Sequence, residues 1–332
     1  MRRSRGMGTL LALCLLTGPS FAAEWQAVTA DLIRAEKPGY GGLCGVVVDH
    51  AGGDLFIDLS EKGLYRSTDQ GKTWKKQGPA VKGRTEWPGC LLIDPTGKTQ
   101  RMLMALVYGA PVSVSADAGK RWKQLDAKSG HVDWCVADWT DPDLKFLLAL
   151  KHESGGLLLR SRDGGKSFTE LGKGYGPAWI FDKDNAVVAE MKTKERPKPR
   201  LMRSADAGGT WESVGEYTAT ALPRWRDGTL YWLAGESLIA TTDEGKSWKK
   251  LGTVKDALFG PVFGKKAKQL FVLTKAGIVE SEDGGSSWSK PVTLPKELKG
   301  ASALTWLAYD PKNDLLYVMK MGSDLYEMTR GR

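Results

Sequence analysis

One short pattern, S-x-D-x-G-x-[ST]-W, returns six times along this chain of 332 residues. The first copy reads STDQGKTW, and later copies such as SADAGGTW and TTDEGKSW keep the aspartate and the glycine. A period of this kind indicates a repeat architecture in which each unit is one supersecondary element. The aspartates of the six copies are 37 to 48 residues apart, at Asp69, Asp117, Asp163, Asp206, Asp243 and Asp283.

Short runs rich in β-branched and aromatic residues fill the segments between the copies, and turn residues separate the runs. CGVVVD, DLFIDL and GLYRS precede the first copy, and TWKKQG follows it. CVADW, KFLLAL and LLLRS precede the third copy in the same order. Each repeat therefore predicts three strands, the eight-residue turn and a fourth strand, which is the size of a propeller blade.

A seventh unit follows the sixth copy. TWLAYDP, LLYVMKM and DLYEMT predict three more strands, with no matching turn after them. The segment Glu24 to Val28 resembles the strands that follow the turns, so we expect it to pair into the last blade, because ring closure removes exposed sheet edges. The sequence thus predicts an all-β fold, a single seven-bladed β-propeller of four-stranded blades over residues 23–332, closed by the N-terminal strand.

Each letter of the repeated turn has a structural role. The aspartate can accept hydrogen bonds from backbone N–H groups of the turn, and the glycine can adopt a left-handed conformation at little cost. The serine or threonine hydroxyls can tie the ends of the turn together, and the tryptophan can bury its ring against the blade. We therefore predict that the six aspartates are structural and that the turns are not an active site.

The turn pattern resembles the Asp-box, or BNR repeat, of sialidases, xyloglucanase-type glycoside hydrolases, sortilin-like receptors and a photosystem II assembly factor. Six copies carry the resemblance over most of the chain that follows residue 22. It implies a propeller whose boxes lie on the face away from the ligand site. Because these relatives perform different tasks, the resemblance leaves the function open.

Residues 1–22 predict an export signal. Arg2, Arg3 and Arg5 precede the apolar run GTLLALCLLTG, and the small residues Ser20 and Ala22 favour cleavage after Ala22. The apolar run is shorter than the ~20 residues that span a bilayer. The predicted location is therefore the periplasm or the outside of the cell.

Charge and composition exclude some classes of partner. The formal net charge is +9 and falls to +6 when the three N-terminal arginines leave with the signal. The lysines are scattered as pairs at strand ends, whereas nucleic-acid-binding surfaces concentrate their basic residues. We predict a glycan, peptide or protein ligand, no nucleic acid and no cofactor, and we expect a monomer.

The predicted ligand face consists of the loops that join consecutive blades and the loops between second and third strands. Aromatic and charged residues are frequent in these loops and suit a sugar or a peptide. Glu86 and Tyr217 belong to the same loops. The predicted ligand-binding residues are Arg34, Tyr40, Asp58, Glu61, Arg84, Trp87, His131, Asp133, Trp134, His152, Glu153 and Tyr175.

The loops of the third repeat concentrate the ionisable groups. His131, Asp133, His152 and Glu153 come from its two predicted upper loops. Imidazoles beside carboxylates can act as an acid–base pair or hold a metal. Their spacing matches no metal motif, so no metal is predicted, and ordinary hydrogen bonding is the alternative interpretation.

A catalytic alternative depends on the first repeat. FIDLSEKGLYRSTD resembles the first-blade segment of xyloglucanases, and this resemblance implies that Asp58 is a catalytic carboxylate, with Glu153 as a candidate partner. The spacing is two residues longer here, and those enzymes complete their cleft with a second propeller. Glycoside hydrolysis needs two carboxylates about 5 to 10 Å apart. The leading prediction is a binding or assembly scaffold, and the alternative is a glycoside hydrolase of sialidase or xyloglucanase type.

Three cysteines follow the predicted signal. Cys44, Cys90 and Cys135 stand at the start of the inner strand in three consecutive repeats. An odd number of cysteines in an exported chain leaves one thiol outside any intramolecular disulfide. Packing between blades, one disulfide between neighbouring blades and a metal site are the three interpretations.

Overall fold

A computed structural model describes residues 24–85 and 87–330 of the chain. The export signal predicted for residues 1–22 and the loop residue Glu86 lie outside the described residues. Within them, seven antiparallel β-sheets follow one another as the blades of a propeller, and the predicted fold class is confirmed. We number the blades 1 to 7 along the chain and their strands from the inner to the outer.

The first four blades each have four strands among the described residues. Blade 1 consists of Gly45–Val48, Leu55–Asp58, Leu64–Ser67 and Lys75–Lys76. Blade 2 consists of Leu91–Ile93, Met102–Met104, Ser113–Ser115 and Lys123–Gln124. Blade 3 consists of Val132–Ala137, Leu147–Lys151, Leu158–Ser161 and Thr169–Gly172. Blade 4 consists of Tyr175–Ile180, Ala186–Glu190, Leu201–Ser204 and Glu212–Gly215.

The remaining blades complete the ring. Blade 5 consists of Arg224–Arg226, Thr229–Ala234, Ser237–Thr241 and Lys249–Thr253. Blade 6 consists of Ala257–Phe263, Leu270–Thr274 and Gly277–Ser281. Blade 7 consists of Thr305–Asp310, Leu315–Lys320, Tyr326–Thr329 and the N-terminal strand Gln26–Ala27. The elements outside the blades are the α-helix Ala30–Glu36, the 3₁₀ turns Ser60–Lys62, Ala127–Ser129 and Lys296–Leu298, and a ribbon of Gly83–Arg84 with Tyr108–Gly109.

The N-terminal strand closes the ring as its outer strand in blade 7. Ala27 pairs with Tyr326. The next residues continue the contact, since the N–H of Val28 donates to the carbonyl of Leu325 at 2.9 Å. The hydroxyl of the buried Thr29 accepts the N–H of Leu325 at 2.8 Å. The predicted closure is confirmed, and it hides the edge that blade 7 would otherwise expose.

Blade 6 departs from the predicted four strands. Its outer segment pairs with the third strand through one isolated bridge, Ile278 to Val292. The segment carries Pro291 and Pro295. Proline has no N–H to donate to a sheet, so the ladder ends after this bridge.

The boxes are closed by hydrogen bonds of their own side chains. In the first box, the Ser67 hydroxyl donates to Asp69 Oδ1 at 2.7 Å and accepts the N–H of Gly71 at 2.8 Å. Asp69 also accepts the N–H of Thr73 at 2.9 Å and its hydroxyl at 2.6 Å. These bonds, the Thr73 hydroxyl first, hold the pKa of Asp69 at about 2. Equivalent bonds surround Asp117, Asp163, Asp206, Asp243 and Asp283.

The glycine of each box also sets the spacing between blades. Gly119 of the second box has φ +79°, and a Cβ there would lie 2.3 Å from Cδ2 of Leu64 in blade 1. A Cβ on Gly245 of the fifth box would lie 2.4 Å from Val187 in blade 4. The boxes therefore pack directly on the preceding blade.

The antiparallel order of the strands divides the turns between two faces. Turns between the first and second strands share one face with the boxes, which we call the box face. Loops between blades, and those between second and third strands, share the opposite face, which we call the upper face. No helix among the described residues is long and apolar enough to cross a membrane.

Candidate functional site

A short ribbon on the upper face joins two loops that are distant in the chain. Arg84, between blades 1 and 2, pairs with Tyr108, between the second and third strands of blade 2. The backbones approach closely at Gly83 and Gly109, because a Cβ on Gly109 would lie 2.4 Å from the Gly83 Cα. Glycine at both positions lets the ribbon form and places the two side chains next to each other.

Five side chains form a continuous row across this face, which we call the aromatic–cationic strip. The Arg84 guanidinium carbon lies 4.4 Å from the ring centroid of Tyr40 and 4.1 Å from that of Tyr108. The Tyr108 ring lies 5.0 Å from the His131 ring and 5.6 Å from the His152 ring. The two imidazoles are 5.0 Å apart. Cation–π and edge-to-face contacts of this kind fix the orientation of each ring.

Hydrogen bonds hold the imidazole rings of His131 and His152 in place. His131 Nδ1 lies 2.6 Å from the carbonyl oxygen of Val107. Since a carbonyl only accepts, this nitrogen carries the proton. His152 Nδ1 lies 2.5 Å from Asp133 Oδ1, and its Nε2 lies 3.6 Å from Glu153 Oε1. The sequence prediction that His131, Asp133, His152 and Glu153 come from neighbouring loops therefore corresponds to one connected cluster.

Two residues of this cluster have a left-handed backbone. His131 has φ +55° and Glu153 has φ +50°. Residues other than glycine adopt this conformation infrequently, and such strain concentrates at functional sites. The same conformation occurs in the box turns, for example at Ala118 and Glu244, so it does not by itself distinguish the strip.

Asp58 lies beneath the surface next to the strip. The segment Gly39 to Gly42 packs on the turn that follows it, since the N–H of Gly39 donates to Glu61 at 2.6 Å and the Ser60 hydroxyl donates to the Tyr40 carbonyl at 3.0 Å. The Asp58 side chain has 0% exposure, and its carboxyl oxygens have no hydrogen-bond partner among the described residues. Burial, with a smaller effect of Glu61, raises the pKa of Asp58 to about 8. At neutral pH this carboxyl group is therefore protonated and has no exposed surface.

The remaining predicted residues lie apart from the strip or inside the fold. Arg34, on the N-terminal helix, is exposed and forms an ion pair with Asp31 at 2.8 Å. Trp134 is 5% exposed and packs in the core around blades 3 and 4. Tyr175 is half-buried, with its ring 6.3 Å from the Trp211 ring.

Three more side chains from the predicted face differ in exposure. Trp87 is exposed and follows the ribbon strand that holds Arg84. Tyr217 is half-buried beside the core. Glu61 is exposed, and its hydrogen bond with the Gly39 N–H, which is the largest cause, lowers its pKa. The Glu61 carboxylate thus helps to position the segment Gly39 to Gly42.

The three cysteines are buried at the inner strands, and no disulfide joins them in the part of the chain that is described. Burial raises the pKa of the Cys44 thiol to about 12, and burial also raises that of Cys135. The Cys90 thiol lies 2.7 Å from the Asp133 carbonyl. Within residues 24–85 and 87–330, no group of three or more histidine, cysteine or acidic side chains is arranged to hold a metal ion.

Tyr108 lies in a loop between second and third strands, but it is not among the ligand-binding residues predicted from the sequence. Tyr108 is 40% exposed and contacts three of the other four strip residues. The available signal was the pair of glycines, Gly83 and Gly109, one in each of two upper loops. Together they indicate a close backbone approach.

Comparison with known proteins supports the repeat and the fold. A profile of the BNR/Asp-box repeat matches residues 65–76. A curated protein described as a probable oligoxyloglucan-reducing end-specific xyloglucanase, from Neosartorya fischeri, is 25% identical over 287 residues. The alignment covers 77% of this chain and 29% of that protein. The chain therefore spans less than a third of the length of its curated relative.

Three solved structures illustrate the similarity of fold. YCF48 bound to D1 peptide has a TM-score of 0.52 at 14% identity, over 95% of this chain and 100% of that chain. The β-propeller domain of Cps50 (Swd1) from Myceliophthora thermophila has a TM-score of 0.59 at 11% identity, over 89% and 98%. An ancestral GH74 enzyme has a TM-score of 0.50 at 13% identity, over 87% and 45%. At these identities the likeness shows the fold alone.

Proposed function

We propose that this seven-bladed propeller with Asp-box repeats is a binding protein, and that the aromatic–cationic strip of its upper face holds the ligand. The ligand is a peptide segment of a partner protein or a glycan. The observation that carries the proposal is the strip itself, a row of rings around the Arg84 cation that begins at Tyr40 and ends at His152. It combines exposed aromatic surface with the positive charge of Arg84.

The strip has the properties of a recognition surface. Tyr40 is 75% exposed and Tyr108 is 40% exposed, so both present ring surface to a partner. Arg84 is held between the two rings, which orients its guanidinium before any ligand arrives. Preorganised aromatic and arginine side chains lose little conformational freedom on binding, and they dominate binding energies at interfaces.

The burial of Asp58 favours binding over hydrolysis. A catalytic carboxyl group has to touch the glycosidic bond, and a pair of carboxyl groups has to flank it. Asp58 has 0% exposure. Its raised pKa would suit a general acid, but a substrate would reach it only after the residues that bury it moved away.

The comparisons fit both functions at the coarse level. The curated relative is a probable xyloglucanase, but this chain covers 29% of it. The YCF48 structure was solved with a D1 peptide, and this chain covers its whole length. The YCF48 structure with its bound peptide supports the binding interpretation, and a glycoside hydrolase of xyloglucanase type is the second candidate function because of the curated relative.

The location is part of the proposal. The basic, then apolar, then small-residue pattern of residues 1–22 supports export to the periplasm or beyond. An exported binding propeller would meet cell-wall glycans or envelope proteins. Fractionation of cells that express the full chain tests this point, and recovery of the protein in the cytosol at full length would contradict it.

One experiment separates the two functions. The protein starting at Ala23 is incubated with peptide arrays and with plant, algal and bacterial polysaccharides, while binding and product release are recorded together. We expect retention of a ligand without product, and loss of that ligand in Arg84→Ala. The control Arg162→Ala removes an exposed arginine from the opposite, box face. Product release that is lost in Asp58→Asn would instead establish the hydrolase.

A further inference from the structure

The ring of inner strands encloses a cavity that the upper-face proposal does not use. It has a volume of about 360 Å³ and is lined by residues from the inner strands of all seven blades, with further lining from the turns of the box face. Natural ligand pockets have volumes of about 300 to 1,000 Å³. The cavity is therefore large enough for a small molecule.

The cavity is narrowed at its upper end and continues onto the box face. Gly89 lies so close to Leu222, from the far side of the ring, that a Cβ on Gly89 would approach Cδ1 of Leu222 to 2.4 Å. A second groove, of about 330 Å³, shares Trp139, Trp179 and Trp225 with the cavity and lies along the box face. A small molecule would therefore enter from the box face, opposite the strip.

Arg224 lies in this cavity without a polar partner. Its guanidinium carbon stacks 4.6 Å from the ring centroid of Phe259. Its Nε is buried, and no hydrogen bond or ion pair reaches this side chain from residues 24–85 or 87–330. Arg224 as a whole is half-buried, and its side chain lines the cavity. Burial lowers the pKa of Arg224 to about 10, so the group remains charged at neutral pH.

A buried charge without a partner is costly for the fold. Removing a charged group from water without an opposite charge or hydrogen bonds is unfavourable. Arg226 and Lys265 also line the cavity and add positive charge to it.

The carboxylate of Asp94 is already occupied by Arg101 at 3.3 Å and by hydroxyl groups. The Asp49 carboxylate also lines the cavity and accepts the N–H of Ala51 at 3.0 Å. No described carboxylate pairs with Arg224, so an anionic ligand could do so.

The walls define the rest of the ligand. The Trp179 and Trp225 rings are stacked, with centroids 6.2 Å apart and an interplanar angle of 15°. Phe259 and Trp306 add further aromatic wall, and the indole Nε1 of Trp306 is buried without an acceptor among the described residues. Flat apolar walls around a cation suit a planar apolar body that carries an acidic group.

We propose that the central cavity is a second binding site, and that it takes a small planar organic anion whose carboxylate or phosphate pairs with Arg224. Aromatic acids and aryl phosphates share this chemistry. The site is distinct from the strip, since it opens on the box face. The proposal for the cavity does not depend on the ligand of the upper face.

Calorimetric titration of the exported chain tests the proposal with four probes: 2-naphthoate, 1-naphthyl phosphate, neutral 2-naphthamide and inorganic phosphate. A charged hydrogen bond contributes about 1.5 to 3 kcal/mol, which corresponds to a factor of about 10 to 100 in affinity. We expect at least one naphthyl anion to bind at one site per chain, and 2-naphthamide to bind at least about tenfold more weakly. The better of the two anions identifies the acidic group.

Two variants locate the site. Arg224→Met keeps the length and the contact with Phe259 but removes the charge, and Arg162→Met is the matched control on the exposed box face. We expect Arg224→Met to lose anion binding, to keep the strip ligand and to melt at the same or a higher temperature, because a buried charge is removed. Arg162→Met should bind like the wild type.

Three results would overturn the proposal. The first is equal affinity for the naphthyl anions and the neutral amide, and the second is absence of binding for both anions at millimolar concentration. The third is a marked fall in the melting temperature of Arg224→Met, which would assign Arg224 a structural role. Loss of the strip ligand in Arg84→Ala has no bearing on any of these results.

Discussion

The guanidinium carbon of Arg84 lies 4.1 Å from the ring centroid of Tyr108, although the two residues belong to different loops. The ribbon that pairs them is the only part of the described upper face where two loops are joined by strand pairing. The contact thus gives rigidity to side chains that stand on loops. A propeller can hold a binding surface in this way without any change to its blades.

The boxes should control stability in acid. The hydroxyl of Ser167, the largest favourable contribution, and further bonds from Ser161 and the backbone hold the pKa of Asp163 at about 2. The unfolded chain keeps the ordinary value of about 3.9. Between these values the unfolded state binds more protons, so the stabilisation is complete above about pH 4 and is lost as the pH falls through 2.

Asp163→Ala should lower the free energy of unfolding by about 1 to 3 kcal/mol at pH 7 through the lost hydrogen bonds. It should also flatten the decline between pH 4 and pH 2. Urea denaturation at a series of pH values measures both effects. The control Asp143→Ala removes a carboxylate that forms a surface ion pair with Lys145 at 3.3 Å, and it should cost less than about 1 kcal/mol. Equal losses in the two variants would contradict the structural role of the box.

Asp58 should change the pH dependence of stability in the opposite direction, and at higher pH. Its pKa is about 8 in the folded protein, because of burial first and Glu61 second. Between pH 4 and pH 8 the folded state holds a proton that the unfolded state has lost. Asp58 therefore lowers stability as the pH rises, by up to about 1.4 kcal/mol per pH unit.

Asp58→Asn should therefore be more stable than the wild type at pH 7.5, and the difference should shrink to near zero at pH 4. Thermal and urea unfolding across this range measure it. Asp54→Asn is a control, because the Asp54 carboxylate is paired with Arg66 and its loss should destabilise at pH 7.5. A constant difference between Asp58→Asn and wild type would show that the Asp58 carboxyl group is ionised in the folded protein.

Closure of the ring should depend on one hydroxyl group. Thr29 is 1% exposed, donates to Asp324 at 3.0 Å and accepts the N–H of Leu325 at 2.8 Å. Thr29→Ala leaves that N–H buried without an acceptor, which costs about 1 to 3 kcal/mol. Thr29→Ser keeps the hydroxyl and should restore most of the loss. Similar unfolding free energies for the alanine and serine variants would mean that the hydroxyl group does not stabilise the closure.

The glycines of the boxes should be sensitive to added bulk between blades. Gly119→Ala combines a positive φ of +79° with a Cβ 2.3 Å from Leu64. Gly97→Ala has a similar φ of +67° but no atom within 4 Å. The free energy of unfolding should fall by about 1 kcal/mol in the control Gly97→Ala, from backbone strain alone. In Gly119→Ala it should fall by about 1 to 3 kcal/mol more, from overpacking. Chemical denaturation of the two variants isolates the contact between blades, and equal losses would argue that it contributes nothing.

The blades and their closure could be predicted because their signals are local. The hydrogen bonds of a box involve residues four positions apart, such as Asp69 and Thr73. The N-terminal strand could be assigned to blade 7 because that repeat had no outer strand of its own. The irregular outer strand of blade 6 was not predicted, because the effect of Pro291 and Pro295 on strand pairing was not considered.

The site could be predicted in part, because its residues meet through contacts between distant loops. The four ionisable residues of blade 3 were expected to be near one another, and His152 does reach Asp133. Nothing in the local sequence shows that Tyr108 stacks on Arg84 or that Glu61 positions the segment Gly39 to Gly42. The charge of Arg224 becomes significant only when seven inner strands enclose it.

Titration of one ligand into three proteins tests the central claim most directly. The ligand is the first that the binding panel yields, and the proteins are wild type, Tyr108→Ala and the box-face control Arg162→Ala. Loss of the Tyr108 ring should weaken binding about five- to thirtyfold, since aromatic and cation–π contacts contribute about 1 to 2 kcal/mol. The melting temperature should change little, and Arg162→Ala should bind normally. Unchanged affinity in a folded Tyr108→Ala protein would contradict the proposal that the strip is the binding surface.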